Sequence, residues 1–249
     1  MEGLRAGSSH LAKKRKIEET SHEEVREHLT RQALVESHNQ KPRISFILDN
    51  AAIRKAFIKK RWVVANGIDD EEALLRQNKN PNDYMSQIAH VALKAILDSP
   101  LNKYGLIGAI YVKIADGALF EVKPHVRIPR TLPRFSGLML ELLQKSRIRT
   151  NDTNETLMSV IQEPVTRHLP ANSRIIGISR NSRKLVDMLD YVNAAREDVH
   201  LVFVVGISTS KEINQQQLDD TISVTDLPVD ATASIDLICG ACEERWKCF

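Results

Sequence analysis

The chain has 249 residues, of which 42% are hydrophobic and 27% charged, and its formal net charge is +3 at pH 7. This length suffices for one α/β domain with a sizeable core and an additional tail. The longest apolar run, Leu201 to Ile207, is far shorter than the ~20 residues that span a bilayer, and the N-terminus lacks an apolar signal-peptide core. We therefore expect an intracellular protein with no membrane contact.

The positive charge is concentrated in two segments. Residues 1–16 carry five lysines and arginines against Glu2, a net charge of +4, and residues 123–149 carry seven against Glu141, a net charge of +6. The remaining residues sum to −7. Two local concentrations on an otherwise acidic chain indicate contact with a polyanion rather than a uniformly basic surface.

Residues 1–42 are predicted to form a basic, largely disordered tail. The sequence KKRK at Lys13 to Lys16 lies in a polar stretch that cannot bury a core. It predicts nuclear import, with a solvated basic tail as the alternative. Ser21 and Glu24 form a capping box, which indicates a short appended or partner-docking helix. The folded domain is predicted to span residues 43–249 and to begin with the strand-like run RISFILD.

The next elements are a loop, a helix and a hairpin. Residues 66–83 are acidic and Asn-rich, which predicts a loop or an insertion. A helix follows and ends at Pro100 and Gly105 in LDSPLNKYG. Two strands around an Asp116–Gly117 turn are then predicted within GAIYVKIADGALFEV. The helix has apolar residues at helical spacing: Ile88, Val91, Ala92, Ala95 and Ile96.

The stretch VRIPRTLPRF, Val126 to Phe135, is named the Arg/Pro segment here. Prolines lack the backbone donor that a helix interior or a central strand needs, so the whole segment is predicted to be a stiff loop. A rigid loop lowers the entropy that each arginine loses on binding. The segment contains Arg127, Pro129, Arg130, Pro133 and Arg134. The helix after it has one apolar face, formed by Phe135, Leu138, Met139, Leu142 and Leu143.

The C-terminal third alternates strands and helices, as α/β proteins do. Buried strands are predicted at SRIIGIS and LVFVVG, and a short strand and turn at TISVTDLPVDA. Gly206 and Pro228 fall at strand ends, where open α/β sheets bind ligands, but neither a GxGxxG nor a Walker sequence occurs. The helix between the two buried strands contains Leu185, Met188, Leu189 and Val192, and a final helix contains Ile235, Ile238, Cys239, Cys242 and Trp246.

The three cysteines lie in the last eleven residues, which does not match a disulfide framework. The sequence CGAC is a weak metal or redox signal because it has no second Cys pair. We interpret these cysteines as helix packing residues and predict no metal site.

Three stretches resemble the eukaryotic and archaeal small-subunit ribosomal RNA pseudouridine N1-methyltransferases: LDSPLNKYG, FEVKPHVRIPRTLPRFSGLM and the VFVVG … LPVDA region. The resemblance covers about residues 43–249 and is strongest over 88–149. It implies a SPOUT-type α/β knot with a C-terminal trefoil knot, a central mostly parallel sheet and an inserted β-hairpin extension. It also implies a homodimer that binds S-adenosyl-L-methionine in the knot and small-subunit ribosomal RNA across the dimer face. Pre-ribosomal assembly factors as partners, and a nuclear and nucleolar location, follow from the same resemblance.

The resemblance assigns RNA contact to Arg127, Arg130 and Arg134. Charge alone adds Arg147 and Arg149, for which a solvated face is the alternative. The candidate catalytic carboxylate is Asp98, which would accept the proton of the target nitrogen or orient a neighbouring arginine. Its alternative role is to bond the turn amides before Pro100. The resemblance also implies which residues bind the cofactor. The positions that correspond to the family's cofactor site are Ile178, Ser179, Gly206, Val224, Thr225, Asp226, Leu227, Pro228 and Val229.

The sequence departs from the family pattern near the cofactor. After the second buried strand it has GISTSKE, where relatives carry a second glycine and one more residue. In the last loop it has TDLPVDA in place of SNYPLSA. Before the first helix of the resemblance, Met85 to Gln87 replace an Arg-Pro-Asp sequence. Two functions therefore stay open. The first is S-adenosylmethionine-dependent methylation of a pseudouridine at N1 in small-subunit rRNA, with a role in subunit biogenesis. The second is an RNA-binding ribosome-assembly factor of the same fold with weak or no methyltransferase activity. A third function, that of a metabolic α/β enzyme unrelated to RNA, would leave the arginines of the Arg/Pro segment without a binding role.

Overall fold

The computed structural model describes residues 43–150, 152–208, 212–213, 217–227 and 229–248. The tail of residues 1–42 lies outside the described residues, so the predictions of an import signal and a capped helix are not addressed by the structure. Pro228 also lies outside them. No helix among the described residues combines the length and apolar composition that crossing a bilayer requires.

Ten strands and six helices are described in these ranges. The strands are β1 (Ile44–Ala51), β2 (Lys55–Ile58), β3 (Arg61–Val64), β4 (Ile107–Ile114), β5 (Leu119–Val122), β6 (Arg147–Arg149), β7 (Thr156–Ile161), β8 (Ser173–Ile178), β9 (His200–Gly206) and β10 (Asp220–Ile222). The helices are α1 (Glu71–Leu75), α2 (Ser86–Asp98), α3 (Pro100–Lys103), α4 (Leu132–Lys145), α5 (Met188–Asn193) and α6 (Ala231–Trp246).

One eight-stranded sheet organises the domain, in the order β10-β8-β9-β1-β4-β5-β7-β6. The first five strands in this order are parallel, and β5, β7 and β6 continue the sheet with antiparallel pairing. The central strands β1 and β9 are buried along almost their whole length, which their continuous apolar sequences require. The predictions of an α/β class, a mostly parallel sheet and a hairpin at Asp116–Gly117 are confirmed.

Helix α2 lies at the centre of the helical layer, against α4, α6 and β1. Ala92, Leu93 and Ile96 of α2 are fully buried in the main core. Cys239 and Cys242 of α6 are buried in the same core, and burial raises the pKa of the Cys239 thiol to about 12. These two cysteines therefore pack as small apolar side chains, as the sequence indicated.

Several elements differ from the sequence prediction. Residues 66–83 contain α1 and a 3₁₀ turn at Pro81–Tyr84 rather than only a loop. Helix α5 begins at Met188, whereas Leu185 precedes it, is 56% exposed and forms a β-bridge with Ser223. Strands β2, β3, β6 and β7 were not predicted, because they are short and mix apolar with charged or hydroxyl residues.

Candidate functional site

The first half of the Arg/Pro segment is held against α2 and α3 by hydrogen bonds to its backbone. His90 of α2 donates from Nε2 to the carbonyl of Pro129 over 2.7 Å, and its ring stacks on Phe135 with centroids 4.6 Å apart. Asn102 of α3 donates to the carbonyl of Pro124, just before the segment, over 2.8 Å. These contacts fix the path of the loop as far as Thr131. The prediction of a loop over the whole segment is wrong, because α4 begins at Leu132 and Pro133 lies in its first turn, where a helix needs no backbone N–H donor.

The side chains of the segment alternate between core and solvent. Val126 and Ile128 are buried, whereas Arg127, Arg130 and Arg134 are exposed. Because the apolar residues lie in the core, the neighbouring guanidinium groups are directed outward from a fixed backbone. All three arginines therefore face solvent in the loop before α4 or in its first turn.

Asp98, the last residue of α2, is paired with Arg130. Both terminal nitrogens of Arg130 donate to the two carboxylate oxygens, with Nη2 3.1 Å from Oδ1. The amide of Ser99, which precedes Pro100, bonds instead to the carbonyl of Ile96 over 3.3 Å. The interpretation in which Asp98 bonds the turn amides is therefore wrong, and the geometry supports a carboxylate that orients an arginine.

Arg147 and Arg149 lie elsewhere, on the edge strand β6. Both are exposed, and Arg149 donates to the side-chain oxygen of Asn154 over 3.0 Å. Helix α4 separates them from Arg134 by roughly 20 Å, given its rise of 1.5 Å per residue. The structure therefore does not join these two arginines to the Arg/Pro segment.

A cleft of about 760 Å³ opens at the C-terminal ends of β8 and β9. Six of the predicted cofactor residues line it: Ile178, Ser179, Gly206, Asp226, Leu227 and Val229. Val224 and Thr225 do not line the cleft, so the structure does not support their predicted contact with the cofactor. Val224 packs against the main core, and Thr225 supports the loop by accepting bonds from Leu227 and Ser223.

One wall of the cleft was not foreseen from the sequence. It is formed by Gln87, Ile88 and Val91 of α2. Val91 was predicted to face the core, but it is 46% exposed and lies at the cleft. The other missed lining residues adjoin predicted ones along the chain: Arg180, Asn181, Val205, Ile207, Ser208, Glu212, Ile213, Asp230, Ala231, Thr232 and Ser234.

The lining has an apolar part and an acidic part. Ile178, Leu227 and Val229 offer apolar surface, whereas Glu212 and Asp226 offer carboxylates. Such a lining suits a ligand that combines a flat apolar ring with hydroxyl groups or a positive charge.

The loops that border the cleft are bound together through Asp220 at the start of β10. Lys184 and Tyr191 donate to its carboxylate, and Arg174 lies 3.2 Å from it. Burial alone would raise the pKa of Asp220, but the bonds from Lys184 and Tyr191 outweigh it and lower that pKa below its usual value. The amide of Ser223 donates to the carbonyl of Lys184, and the amide of Val186 donates to the carbonyl of Ser223. These bonds join the loop after β8 to the loop after β10.

Comparison with known proteins identifies relatives over most of the chain. The family model of the EMG1/NEP1 methyltransferase matches residues 17–243. The ribosomal RNA small subunit methyltransferase NEP1 of Drosophila melanogaster is 32% identical over 210 residues, which is 82% of each chain. The protein of the same description from Candida albicans is 37% identical over 181 residues, 72% of this chain and 67% of that one. The human protein is 30% identical over 204 residues, with 82% of each chain covered.

A solved structure shows the same fold. The crystal structure of Archaeoglobus fulgidus Nep1 bound to S-adenosylhomocysteine matches with a TM-score of 0.60 and 16% sequence identity. The match covers 82% of this chain and 98% of that chain. The prediction of the SPOUT, or α/β-knot, fold class is therefore confirmed.

Proposed function

We propose, since the chain belongs to the EMG1/NEP1 methyltransferase family, that it methylates N1 of a pseudouridine in small-subunit ribosomal RNA with S-adenosyl-L-methionine as donor. One observation carries this proposal. The single helix α2 forms a wall of the cleft with Ile88 and Val91 and also fixes the Arg/Pro segment through His90 and Asp98. A methyl donor in the cleft and an RNA on the arginines would thus be positioned by one rigid element.

The cleft residues suit S-adenosylmethionine. This cofactor, when bound, supplies a methyl group on a positively charged sulfonium. The apolar side chains of Leu227 and Val229 fit its adenine ring, and the carboxylates of Glu212 and Asp226 fit its ribose hydroxyls and positive charge. A volume of 760 Å³ lies within the usual range of about 300–1,000 Å³ for ligand sites. Among the described residues, the cleft has the volume that this cofactor requires.

The chain contributes positioning more than covalent chemistry. Guanidinium groups grip phosphates through two parallel hydrogen bonds, so we assign phosphate contacts to Arg127, Arg130 and Arg134. Asp98 holds Arg130 in place before RNA binds. Alignment of the base nitrogen with the methyl group can contribute on the order of 7–11 kcal/mol to the lowering of the barrier.

The wider context of the chain is also part of the proposal. We propose a homodimer in which RNA lies across the dimer face, acting with pre-ribosomal assembly factors in the nucleus and nucleolus. Residues 1–42 would form the basic tail whose KKRK sequence directs import, and residues 43–249 the catalytic domain. Arg147 and Arg149 would contact a more distant part of the RNA.

A second candidate is an assembly factor that binds RNA but has weak or no methyltransferase activity. The departures at GISTSKE and TDLPVDA favour it, because both segments follow strands that end at the cleft. Calorimetric titration of the full chain with S-adenosylmethionine separates the two candidates. Saturable binding, together with methyl incorporation into a small-subunit rRNA fragment, supports the enzyme. RNA binding without cofactor binding supports the assembly factor.

A further inference from the structure

The hairpin of β2 and β3 presents two aromatic rings to solvent. Phe57 and Trp62 pair directly across the two strands, with ring centroids 5.6 Å apart in an edge-on arrangement. Their exposed fractions are 49% and 55%, although most large apolar side chains of the described domain are buried. Exposed aromatic rings of this kind mark binding surfaces more often than isolated exposed aliphatic residues do.

Four cations lie in the same hairpin: Lys55 shares the face of the two rings, Lys59 and Lys60 form the turn, and Arg61 is paired with Ile58 on the opposite face. Lys55, Lys59, Lys60 and Arg61 are all exposed, and no ion pair within the described part of the chain uses any of them. Positive charge interleaved with aromatic rings complements a nucleic acid strand, whose phosphates bind the cations while its bases stack on the rings. An apolar protein surface would remove water from these lysines without replacing it by a charged or polar partner. We call these six residues the hairpin platform.

The tip of the hairpin departs from the sequence that its geometry favours. Lys59 and Lys60 form its two-residue turn with φ values of 48° and 64°. Turns with both residues in the left-handed region favour Asn-Gly, because the Cβ of other residues crowds the backbone there. Two lysines at these positions place charge at the tip at the expense of turn stability. Such departures point to a functional requirement.

The hairpin packs on the rest of the domain and contacts α4. The inward residues Ala56 and Ile58 pack in a small core with Leu74 and Tyr84, and Gln77 donates to the carbonyl of Phe57 over 2.9 Å. Strand β3 lies against α4, the helix that begins within the Arg/Pro segment. The hairpin therefore contacts the same helix that carries Arg134.

We propose that the hairpin platform binds a single-stranded RNA segment, with bases stacked on Phe57 and Trp62 and phosphates held by Lys55, Lys59 and Lys60. This inference rests on the proposed function for the identity of the RNA, which would be a region of the rRNA substrate that flanks the target nucleotide. The binding itself requires neither the cofactor nor methyl transfer, so it can be tested separately.

The first test uses Trp62 as its own reporter. The chain has two tryptophans, so Trp246→Phe leaves Trp62 as the single source of indole fluorescence. Addition of an oligouridine of about ten nucleotides, within the site sizes known for single-strand binders, should quench this fluorescence saturably. Phe57→Leu and Trp62→Leu, which keep apolar bulk but remove the ring, should each weaken binding of that RNA roughly 5- to 150-fold. The anisotropy of a dye-labelled oligouridine measures these affinities, since Trp62→Leu removes the intrinsic fluorophore. Arg196→Gln is the matched control, since its side chain is 79% exposed and already paired with Asp198.

The second test separates turn stability from RNA binding. The double substitution Lys59→Asn with Lys60→Gly gives the hairpin its favoured turn sequence and should raise the melting temperature. The same variant should bind the oligouridine more weakly and flatten the slope of log affinity against log salt by roughly 1 to 1.5, as expected for two lost phosphate contacts. A raised melting temperature with unchanged affinity and slope would show that the lysines do not contact RNA.

Two further outcomes would overturn the proposal. If the fluorescence of Trp62 stays constant while the RNA demonstrably binds, the RNA lies elsewhere on the protein. Alternatively, Phe57→Leu and Trp62→Leu change the sedimentation coefficient but not the RNA affinity, which identifies the platform as a protein interface. Failure of S-adenosylmethionine to bind affects the proposed function and leaves this inference standing.

Discussion

Arg130 donates through both terminal nitrogens to the carboxylate of Asp98, 32 residues earlier in the chain. The two side chains are 69% and 43% exposed, so water screens the pair and it contributes little to folding stability, about 0–1 kcal/mol. Its consequence lies in binding: the planar guanidinium is ordered before RNA arrives, and less rotamer entropy is lost on contact.

The substitution Asp98→Asn should therefore affect activity more than stability. The asparagine keeps one acceptor but loses the charge, so Arg130 is held less firmly and the target base less accurately. We expect methyl transfer to fall about 10- to 100-fold, a typical cost of misplacement, with a nearly unchanged melting temperature. Single-turnover methylation and thermal unfolding measure the two effects. Full activity with a lower melting temperature would assign Asp98 a purely structural role.

Arg130→Ala tests the phosphate contact itself. The alanine variant should fold normally, because the ion pair it removes is exposed. RNA affinity should fall, and the slope of log affinity against log salt should flatten by about one unit or less, because one phosphate contact is lost. Titrations of an rRNA fragment at several salt concentrations give the slope. A slope equal to that of the wild type would remove Arg130 from the phosphate contacts.

Sequence periodicity located the elements whose apolar faces are continuous. The helices α2 and α4 and the strands β1 and β9 each present such a pattern, so their positions were predicted closely. Strand β7, TLMSVI, has one fully buried residue and gains its structure from pairing with β5 and β6. Its own sequence contains no alternation strong enough to predict a strand.

The site was predictable in its composition but not in its connections. The exposed arginines and the cleft at Gly206 follow from prolines and from strand ends. The bond from His90 to Pro129 joins residues 39 apart, and it depends on the path that the loop takes over α2. Val91 has the helical spacing of a core residue, but it lies on the part of α2 that borders the cleft and is therefore partly exposed. Such contacts follow from tertiary packing, which local patterns do not encode.

Asp220 gives the stability of the domain a pH dependence with a defined sign. Its folded pKa lies below its ordinary value of 3.8, so the bonds to its carboxylate stabilise the fold above that value and are lost as pH falls through the folded pKa. Asp220→Asn should lower the free energy of unfolding at pH 7 by about 1.5–3 kcal/mol, the range for hydrogen bonds to a charged group. Urea unfolding at pH 7, 5 and 3 should show a constant difference from wild type at the two higher values and a smaller one at the lowest. A difference that persists unchanged at pH 3 and below would contradict the assignment.

Val91 provides a test of whether the cofactor binds against α2. Because this side chain is 46% exposed at the cleft, Val91→Phe should add bulk to the ligand space without straining the core. We expect S-adenosylmethionine to bind roughly 5- to 100-fold more weakly, the effect of overfilling a packed site. Leu75→Phe is the matched control, because Leu75 is 54% exposed on α1 and does not line the cleft. Calorimetric titration of both variants measures the change, and thermal unfolding confirms that each is folded. Equal cofactor affinity in the two variants would mean that the ligand does not reach α2, and the link between the cleft and the Arg/Pro segment would then have to run through other residues.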